Sequence, residues 1–443
     1  MRKEKCRQFF PVLMQMRLQE AAVVLLVAVA AGLLIIHLNV HRLPGFAERC
    51  MRDGGCSQKG TTDPCYDLPV DDKKGRPRRS NGELVLVTGA SGFIGSHLTA
   101  MLLDLGYKVR AFDNLETGNI LYLDLRHPNL EFQYGDILEL SAMRKAMEGV
   151  TGVFHLAAAS KVLPSLKDPH MATFNVEKNA LGTGRVLEVV NETKAVRKVV
   201  YAASSTYYGN QPIPFAETDP FMPTSPYAAS KYMGELQMQT NDGLYGLPTL
   251  SLRFFMVYGP RNPAEGAYAI VTGKFLKRAQ EGKPLLIEGT GENFRDFVHV
   301  KDIARACILG LQSPVHGLTI NVGSGEAYSV KQVANLVSSN QEHVAARKND
   351  LKGTLANTCQ ARKLLNFKTN YDFETVMREM IADANAGRSD YFAPIWKDEQ
   401  VLSAMEQKLP GWKASPSVER SKMIKAALDS EPSFLDEFLK SLN

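Results

Sequence analysis

The sequence predicts an α/β protein: a doubly wound parallel sheet covered by helices on both faces, preceded by a membrane-spanning helix. Three observations predict it. Short apolar runs beginning at 84, 107, 131, 153 and 198 alternate with amphipathic stretches, the pattern of parallel strands buried on both faces and joined by crossover helices. The first run leads directly into three glycines and a helical pattern. Residues 21–36 are apolar or glycine without exception.

The 443 residues leave room for several domains, at ~150 residues each. A composition 44% hydrophobic and 22% charged excludes a wholly disordered or fibrous chain. Lys plus Arg is 52 against 47 Asp plus Glu, and the net charge of +5 demands no nucleic-acid partner. Six cysteines without a CxxC pair exclude a disulfide-dense scaffold and argue against a structural zinc site, so no metal is expected.

At the N-terminus, residues 1–20 read as a basic tail, with Arg2, Lys3, Lys5, Arg7 and Arg17. Residues 21–41 carry no formal charge and as a helix would reach about 31 Å, the thickness of a hydrocarbon core. With the basic residues held on the cytosolic side, the expectation is a single-pass type II membrane protein, the chain after the anchor in the lumen of the Golgi or endoplasmic reticulum. A cleaved signal peptide is the competing reading. Residues 42–81, with KKGRPRRS and three cysteines, read as a stem in which two of Cys50, Cys56 and Cys65 could pair or one could link two chains. Asn191-Glu192-Thr193 is a glycosylation sequon.

The folded part opens on ELVLVTGASGFIGSHL from Glu83. A buried strand at 84–87 is followed by Gly89, Gly92 and Gly95, then a helix. Glycines there permit the tight turn and let backbone amides approach a pyrophosphate at the helix N-terminus. The next strand ends in Asp113, which can accept hydrogen bonds from an adenosine ribose; its charge would repel a 2′-phosphate, so NAD is expected rather than NADP. The fifth strand ends in Ser204-Ser205-Thr206, and Tyr227 precedes Lys231 by four residues on one helical face. A nearby ammonium, with the positive nicotinamide, would lower the phenol's pKa and make Tyr227 a base.

These motifs resemble those of the extended short-chain dehydrogenase/reductases, in particular the NAD-dependent nucleotide-sugar epimerases and dehydratases. The match spans about 83–386 through TGASGFIGSHL, FDN, GDI, HLAA, NALGT, YAASSTYYG, YAASK, RFFMVYGPR and RDFVHVKDIA. The resemblance implies a Rossmann core with an interleaved substrate-binding lobe over 82–390, a helical extension over 391–443 and a homodimer. It implies NAD contacts from Gly89, Ser91, Gly92, Phe93, Ile94, Gly95, Asp113, Asn114, Asp136, Ile137, Leu156, Ala157, Ala158, Asn179 and Phe255, beside Tyr227 and Lys231. A UDP-sugar would meet Ser165, Ser204, Met256, Leu285, Ile287, Arg295 and Arg347, with Thr206 as a second hydroxyl at the reacting oxygen. Relatives that eliminate water or carbon dioxide carry acidic residues where Ser205 and Thr206 stand, so a C4-epimerase is the first expectation. A UDP-glucuronate decarboxylase is the alternative. Met256 replaces the Asn or Thr usual in relatives, which keeps open a membrane-tethered NAD-binding pseudoenzyme.

Overall fold

The apolar runs become the strands of one parallel sheet. The computed structural model describes residues 55–57, 70–160, 162–264, 269–347, 351–386, 399–412, 417–431, 433–434 and 437–438, all within the unit Asp53–Asn443. In chain order, the first half runs β1 (Gly55–Ser57), β2 (Leu84–Thr88), α1 (Phe93–Asp104), β3 (Lys108–Asp113), β4 (Leu130–Tyr134), α2 (Leu140–Met147) and β5 (Gly152–His155). Then come α3 (Val162–Lys167), α4 (Pro169–Val176), α5 (Gly182–Thr193), β6 (Lys198–Ser204), α6 (Pro226–Tyr245) and β7 (Thr249–Phe254). The second half runs β8 (Met256–Tyr258), α7 (Val271–Gln280), β9 (Leu285–Glu288), β10 (Phe294–His299), α8 (Val300–Gln312), β11 (Leu318–Val322) and β12 (Glu326–Ser329). It ends with α9 (Val330–Val337), β13 (Gln341–Val344), α10 (Cys359–Leu365), α11 (Phe373–Asn385), α12 (Glu399–Lys408) and α13 (Ser417–Ser430).

Seven strands lie in the order β11-β7-β6-β5-β2-β3-β4, and every pairing is parallel. The central strands β2, β5, β6 and β7 are buried on both faces, which is why β2, β5 and β6 read as largely apolar runs rather than alternating ones. The chain leaves β2 toward β3 and β4, then returns to β5 on the other side. That reversal opens a crevice beyond the carboxyl ends of β2 and β5, where open α/β sheets hold ligands. Beneath it Leu86, Val153, Val199 and Tyr201 share one core.

A smaller C-terminal lobe has its own core of Tyr258, Phe275, Leu285, Ile287, Phe297 and Met377. It contains a sheet of order β1-β12-β10-β8 and the two-stranded ribbon β13-β9. The Rossmann sheet and this lobe are the architecture the sequence predicts.

The membrane anchor is corrected. Among the described residues no helix is long and apolar enough to cross a membrane. The longest, α6, has 20 residues, but Lys231 and Glu235 lie on its buried face; it is a core helix of the protein interior. The anchor expected over 21–41 lies outside the described residues. The type II topology, the lumenal Golgi or endoplasmic reticulum location and the membrane as a partner rested on that segment alone, and no described element supports them. Asn191 of the sequon donates its amide to the Leu187 carbonyl at 2.9 Å and to Asn241 Oδ1 at 2.6 Å, so the nitrogen a glycan would need is engaged. Cys50 and Cys65 lie outside the described residues; Cys359 is disulfide-bonded and Cys307 is a buried free thiol.

Candidate active site

The turn from β2 into α1 is built for close approach. Gly89 has φ +72°, and a Cβ on it would lie 2.8 Å from the backbone nitrogen of Ala157. A Cβ on Gly95 would lie 2.0 Å from the Gly89 carbonyl. Glycine is therefore required at both, and Leu156 and Ala157 are drawn against the turn, with Ala158 next in the chain. Phe93 and Ile94 begin α1, whose N-cap Gly92 makes no side-chain cap and whose first turn holds no acidic residue. The first-turn amides are thus left for an anion, which the helix dipole also favours.

Asp113, buried at the end of β3, accepts from the amide of Ser91 at 2.8 Å and from that of Leu115 at 2.8 Å. Burial pushes its carboxyl up to about 6 against those two bonds. Asn114 and Lys178 both donate to Asp136 Oδ2, at 2.9 and 2.7 Å. Burial acts to raise the Asp136 carboxyl; hydrogen bonds from Lys178, Leu138 and Asn114 outweigh it and hold it low. Ile137 is buried against Gly182. Asn179 serves the protein itself: it accepts from Ala159 N at 2.7 Å and donates to Ala159 O at 3.0 Å and Ser230 Oγ at 2.9 Å. It braces the turn after β5 against α6.

The second half of the constellation stands on α6. Ser225 caps the helix through Ala228 N at 3.2 Å, and Pro226 supplies its first residue. Helix thus begins one residue before Tyr227, and Lys231 follows one turn later. Tyr227 is 8% exposed and Lys231 2%. The hydroxyls of Ser160, at 3.5 Å, and of Ser204 lie against the Tyr227 phenol. Ser204 Oγ is 2.9 Å from Thr206 Oγ1. The Lys231 ammonium sits 4.1 Å from the centroid of the Tyr201 ring, and its Nζ has no hydrogen-bond partner among the described residues.

The protein's own groups do not lower the Tyr227 phenol. Burial raises it, and the two serine hydroxyls only oppose that. Burial likewise pushes Lys231 down to about 7, with Glu235 pulling it up. The expected depression of the phenol therefore needs charge from a bound molecule. His155, buried beside Lys231, is pushed down to about 3, chiefly by burial. It bridges Thr88 Oγ1 at 2.8 Å and Thr183 Oγ1 at 3.0 Å as a neutral ring.

The predicted substrate residues divide. Met256 pairs with Phe297 in the β8–β10 register, so Arg295, two residues earlier on β10, shares that face. Met256 is half-buried against the second core. Arg295 donates to the Phe294 carbonyl at 2.9 Å. Leu285 and Ile287 are core residues, while Leu286 between them points outward; the strand is as expected but those two side chains face inward. Arg347 is forked onto Glu288. Ser165 donates to the Val162 carbonyl within α3 at 2.8 Å. Phe255 packs near the Tyr208 and Phe215 rings.

Two residues near the phenol and ammonium escaped the sequence reading. Ser160 sits after a strand end with nothing local to distinguish it from its small neighbours. Glu235 had a readable signal, the repeat of Tyr227, Lys231 and Glu235 at intervals of four on one helical face. It is fully buried and forks onto Arg253 at 3.1 and 2.6 Å. Arg253 in turn donates to Tyr208 at 2.7 Å, which donates to Asn321 at 2.6 Å.

The NAD dependent epimerase/dehydratase family model matches residues 85–323. A UDP-glucuronate 4-epimerase of Thermodesulfobacterium geofontis is 34% identical over 313 residues, covering 67% of this chain and 94% of the relative. The solved UDP-N-acetylglucosamine 4-epimerase from Methanobrevibacter ruminantium, in complex with UDP-N-acetylmuramic acid, superposes with a TM-score of 0.65 at 32% identity, covering 70% of this chain and all of that one. A variant UDP-glucuronic acid 4-epimerase from Bacillus cereus, solved with UDP-4-deoxy-4-fluoro-glucuronic acid and NAD, gives 0.63 at 27% identity, with coverages of 68% and 99%. The chain belongs to the NAD dependent epimerase/dehydratase family.

Proposed function

We propose, from that membership, that this chain interconverts the C4 epimers of a UDP-sugar with NAD as cofactor, and that the sugar is glucuronate or its C4 epimer. The observation that carries the reading is the buried Tyr227–Lys231 pair on α6 with Ser204 against the phenol. The similarity to UDP-glucuronate 4-epimerases supports the choice of sugar. The residues fit NAD on structural grounds. Gly89 and Gly95 let the turn pack against Ala157 and onto α1, α1 has no side-chain cap and no acid in its first turn, Asp113 is placed for a ribose and against a 2′-phosphate, and the Lys231 ammonium is buried without a partner among the described residues.

NAD, when bound, supplies hydride acceptance and return at C4, so no net oxidation occurs. Tyr227 takes the proton of the 4-hydroxyl and later gives it back, a general base and then acid. Ser204 hydrogen-bonds the 4-oxygen, and Thr206 holds the Ser204 hydroxyl in place. Lys231, free of other partners, hydrogen-bonds the nicotinamide ribose and supports the ionised phenol. Arg295 and Arg347 serve the diphosphate end, where guanidinium geometry suits phosphate; Arg347 exchanges Glu288 for it. Binding concentrated at the UDP end lets the sugar turn between the two half-reactions.

The test is incubation of the purified protein with UDP-glucuronate, UDP-galacturonate, UDP-glucose and UDP-galactose, with products identified by NMR. The expected result is one mixture of the two uronates reached from either side, without carbon dioxide or net NADH. Interconversion of only the neutral sugars would refute the choice of glucuronate. Carbon dioxide from UDP-glucuronate would replace epimerisation with decarboxylation, and no turnover would refute the reading.

A further inference from the structure

His155 is fully buried, and the reaction proposed above gives it no part. It ends β5, where the parallel register sets it opposite Thr88 of β2 and Tyr201 of β6. The three side chains therefore form one row across the centre of the sheet, on one face. Thr88 closes β2 immediately before the turn at Gly89. Two helices meet this row. Thr183 of α5 lies against His155 at 3.0 Å, and the Tyr201 phenol donates to the Lys231 carbonyl of α6 at 3.0 Å.

The hydrogen bonds around the ring run in one direction. Thr183 Oγ1 is 2.6 Å from the Asn179 carbonyl. A carbonyl has no hydrogen to give, so the Thr183 hydroxyl donates. Its oxygen is then left to accept, and the hydrogen on the imidazole belongs on Nε2. The ring is neutral, so Nδ1 keeps its lone pair and accepts from the Thr88 hydroxyl at 2.8 Å. Thr88 Oγ1 accepts in turn from the backbone amide of Ala157 at 3.2 Å. The opposite tautomer would leave two oxygens 2.6 Å apart with no hydrogen between them. It would also leave the Thr88 hydroxyl without an acceptor among the described residues.

Both ends of this series reach the site. Ala157 is the residue against which Gly89 packs, its nitrogen 2.8 Å from where a Cβ would stand. At the other end Asn179 lies in a single π-helical turn, Glu177–Leu181, that leads into α5. Its side chain donates to Ser230 Oγ at 2.9 Å, and Ser230 donates to the Tyr227 carbonyl at 2.8 Å. Buried polar networks whose members are all satisfied rigidify what they join. The charge state matters as well. The Tyr201 ring centroid is 5.6 Å from that of His155 and 4.1 Å from the Lys231 ammonium. A protonated His155 would disfavour the positive charge on Lys231 that an ionised phenol needs.

We propose that His155, fixed as its Nε2–H tautomer, is a positioning residue. It holds the Ala157 amide at the cofactor turn in register with the Asn179–Ser230 brace of Tyr227, so one hydrogen-bonded unit sets both the NAD site and the base. The reaction it serves is the one proposed above; the tautomer and the cofactor affinity do not depend on that reading.

Nitrogen-15 NMR of the histidine-labelled full chain at pH 7 reads the tautomer, with the His155 signals assigned by their absence in His155→Gln. A protonated Nε2 and a bare Nδ1 are expected. The opposite tautomer, a mixture of the two or a doubly protonated ring would overturn the proposal. Thr183→Val keeps the shape of that side chain and removes the acceptor for Nε2–H; Thr183→Ser restores it. In the valine variant kcat should fall about tenfold or more through misplacement of the base. NAD should bind more weakly by calorimetry, and UDP should bind as in the parent. The serine variant should recover both losses. A lower melting temperature in the valine variant with kcat and NAD affinity unchanged would reduce the network to a structural role and overturn the proposal, as would equal losses in the serine variant. If the parent turns over no UDP-sugar, the proposed reaction fails, and the tautomer with the NAD affinities still decides the role of His155.

Discussion

Replacing Lys231 by Met should stabilise the folded chain while abolishing turnover. Lys231 is 2% exposed, and burial lowers its ammonium from 10.5 to about 7. The group is a base whose folded pKa lies below its unfolded one. Between about 7 and 10.5 the unfolded chain therefore binds more protons, and the stability of the parent rises with pH across that window. At pH 7 the unfolded side chain is fully protonated and the folded one about half. At ~1.4 kcal/mol per pH unit, burying Lys231 then weakens folding by roughly 4 kcal/mol. At pH 9 the same arithmetic leaves roughly 2 kcal/mol. Met fills similar space without the charge; the ammonium–Tyr201 contact acts only on the protonated form and enters through the folded pKa, not as a separate term. The neighbouring groups do not obscure the window: His155 titrates well below it, and Tyr201 and Tyr227 are raised by burial. Urea unfolding of nucleotide-free parent and Lys231→Met protein at pH 7 and 9 measures the difference. The variant should be more stable at pH 7 by roughly 4 kcal/mol, and that advantage should fall to roughly 2 kcal/mol at pH 9. A variant less stable than the parent at pH 7, or an advantage independent of pH, would refute the reasoning.

Three further predictions are more direct. Tyr227→Phe keeps the buried ring and removes the proposed base, so kcat should fall by about 10²–10⁴ with an unchanged melting temperature; near-normal turnover of UDP-glucuronate would remove Tyr227 from the mechanism. Asp113→Ala removes the carboxylate that disfavours a 2′-phosphate, so the NAD-over-NADP preference should fall, read by fluorescence titration of both cofactors. Glu235→Gln leaves Arg253 as an uncompensated buried cation and should destabilise the fold by about 3–5 kcal/mol; a loss below about 1 kcal/mol in denaturant unfolding would mean that Tyr208 and Asn321 hold Arg253 without it.

What could be read from the chain alone was what depends on neighbours in sequence. A strand buried on both faces is largely apolar on both, so the interiors of β2 and β6 declare themselves. A turn that brings backbone within contact distance of another loop must be glycine at Gly89 and Gly95. A tyrosine and lysine four apart on a helix face the same way in any fold. These local rules lead to the parallel sheet, the dinucleotide cradle and the Tyr227–Lys231 pair. For residues 21–41 the local rule stands alone: an uncharged apolar run satisfies the length of a membrane span, but the segment lies outside the described residues, and no described helix is long and apolar enough to cross a membrane.

What only the tertiary structure decided concerns pairs far apart in the chain. Leu285 and Ile287 sit on a strand the sequence locates, but a period-two pattern does not say which face meets the second core. That Asn179 is held by Ala159 and Ser230, and Arg347 by Glu288 across the ribbon, is announced by no local pattern. The segment at 70–79 has the composition of a linker, yet Asn366 and Gln312, more than two hundred residues away, bind its backbone. Composition and periodicity are properties of one segment. Hydrogen-bond partners, burial and the pKa values they set belong to the meeting of two, and that meeting is made only by the folded chain.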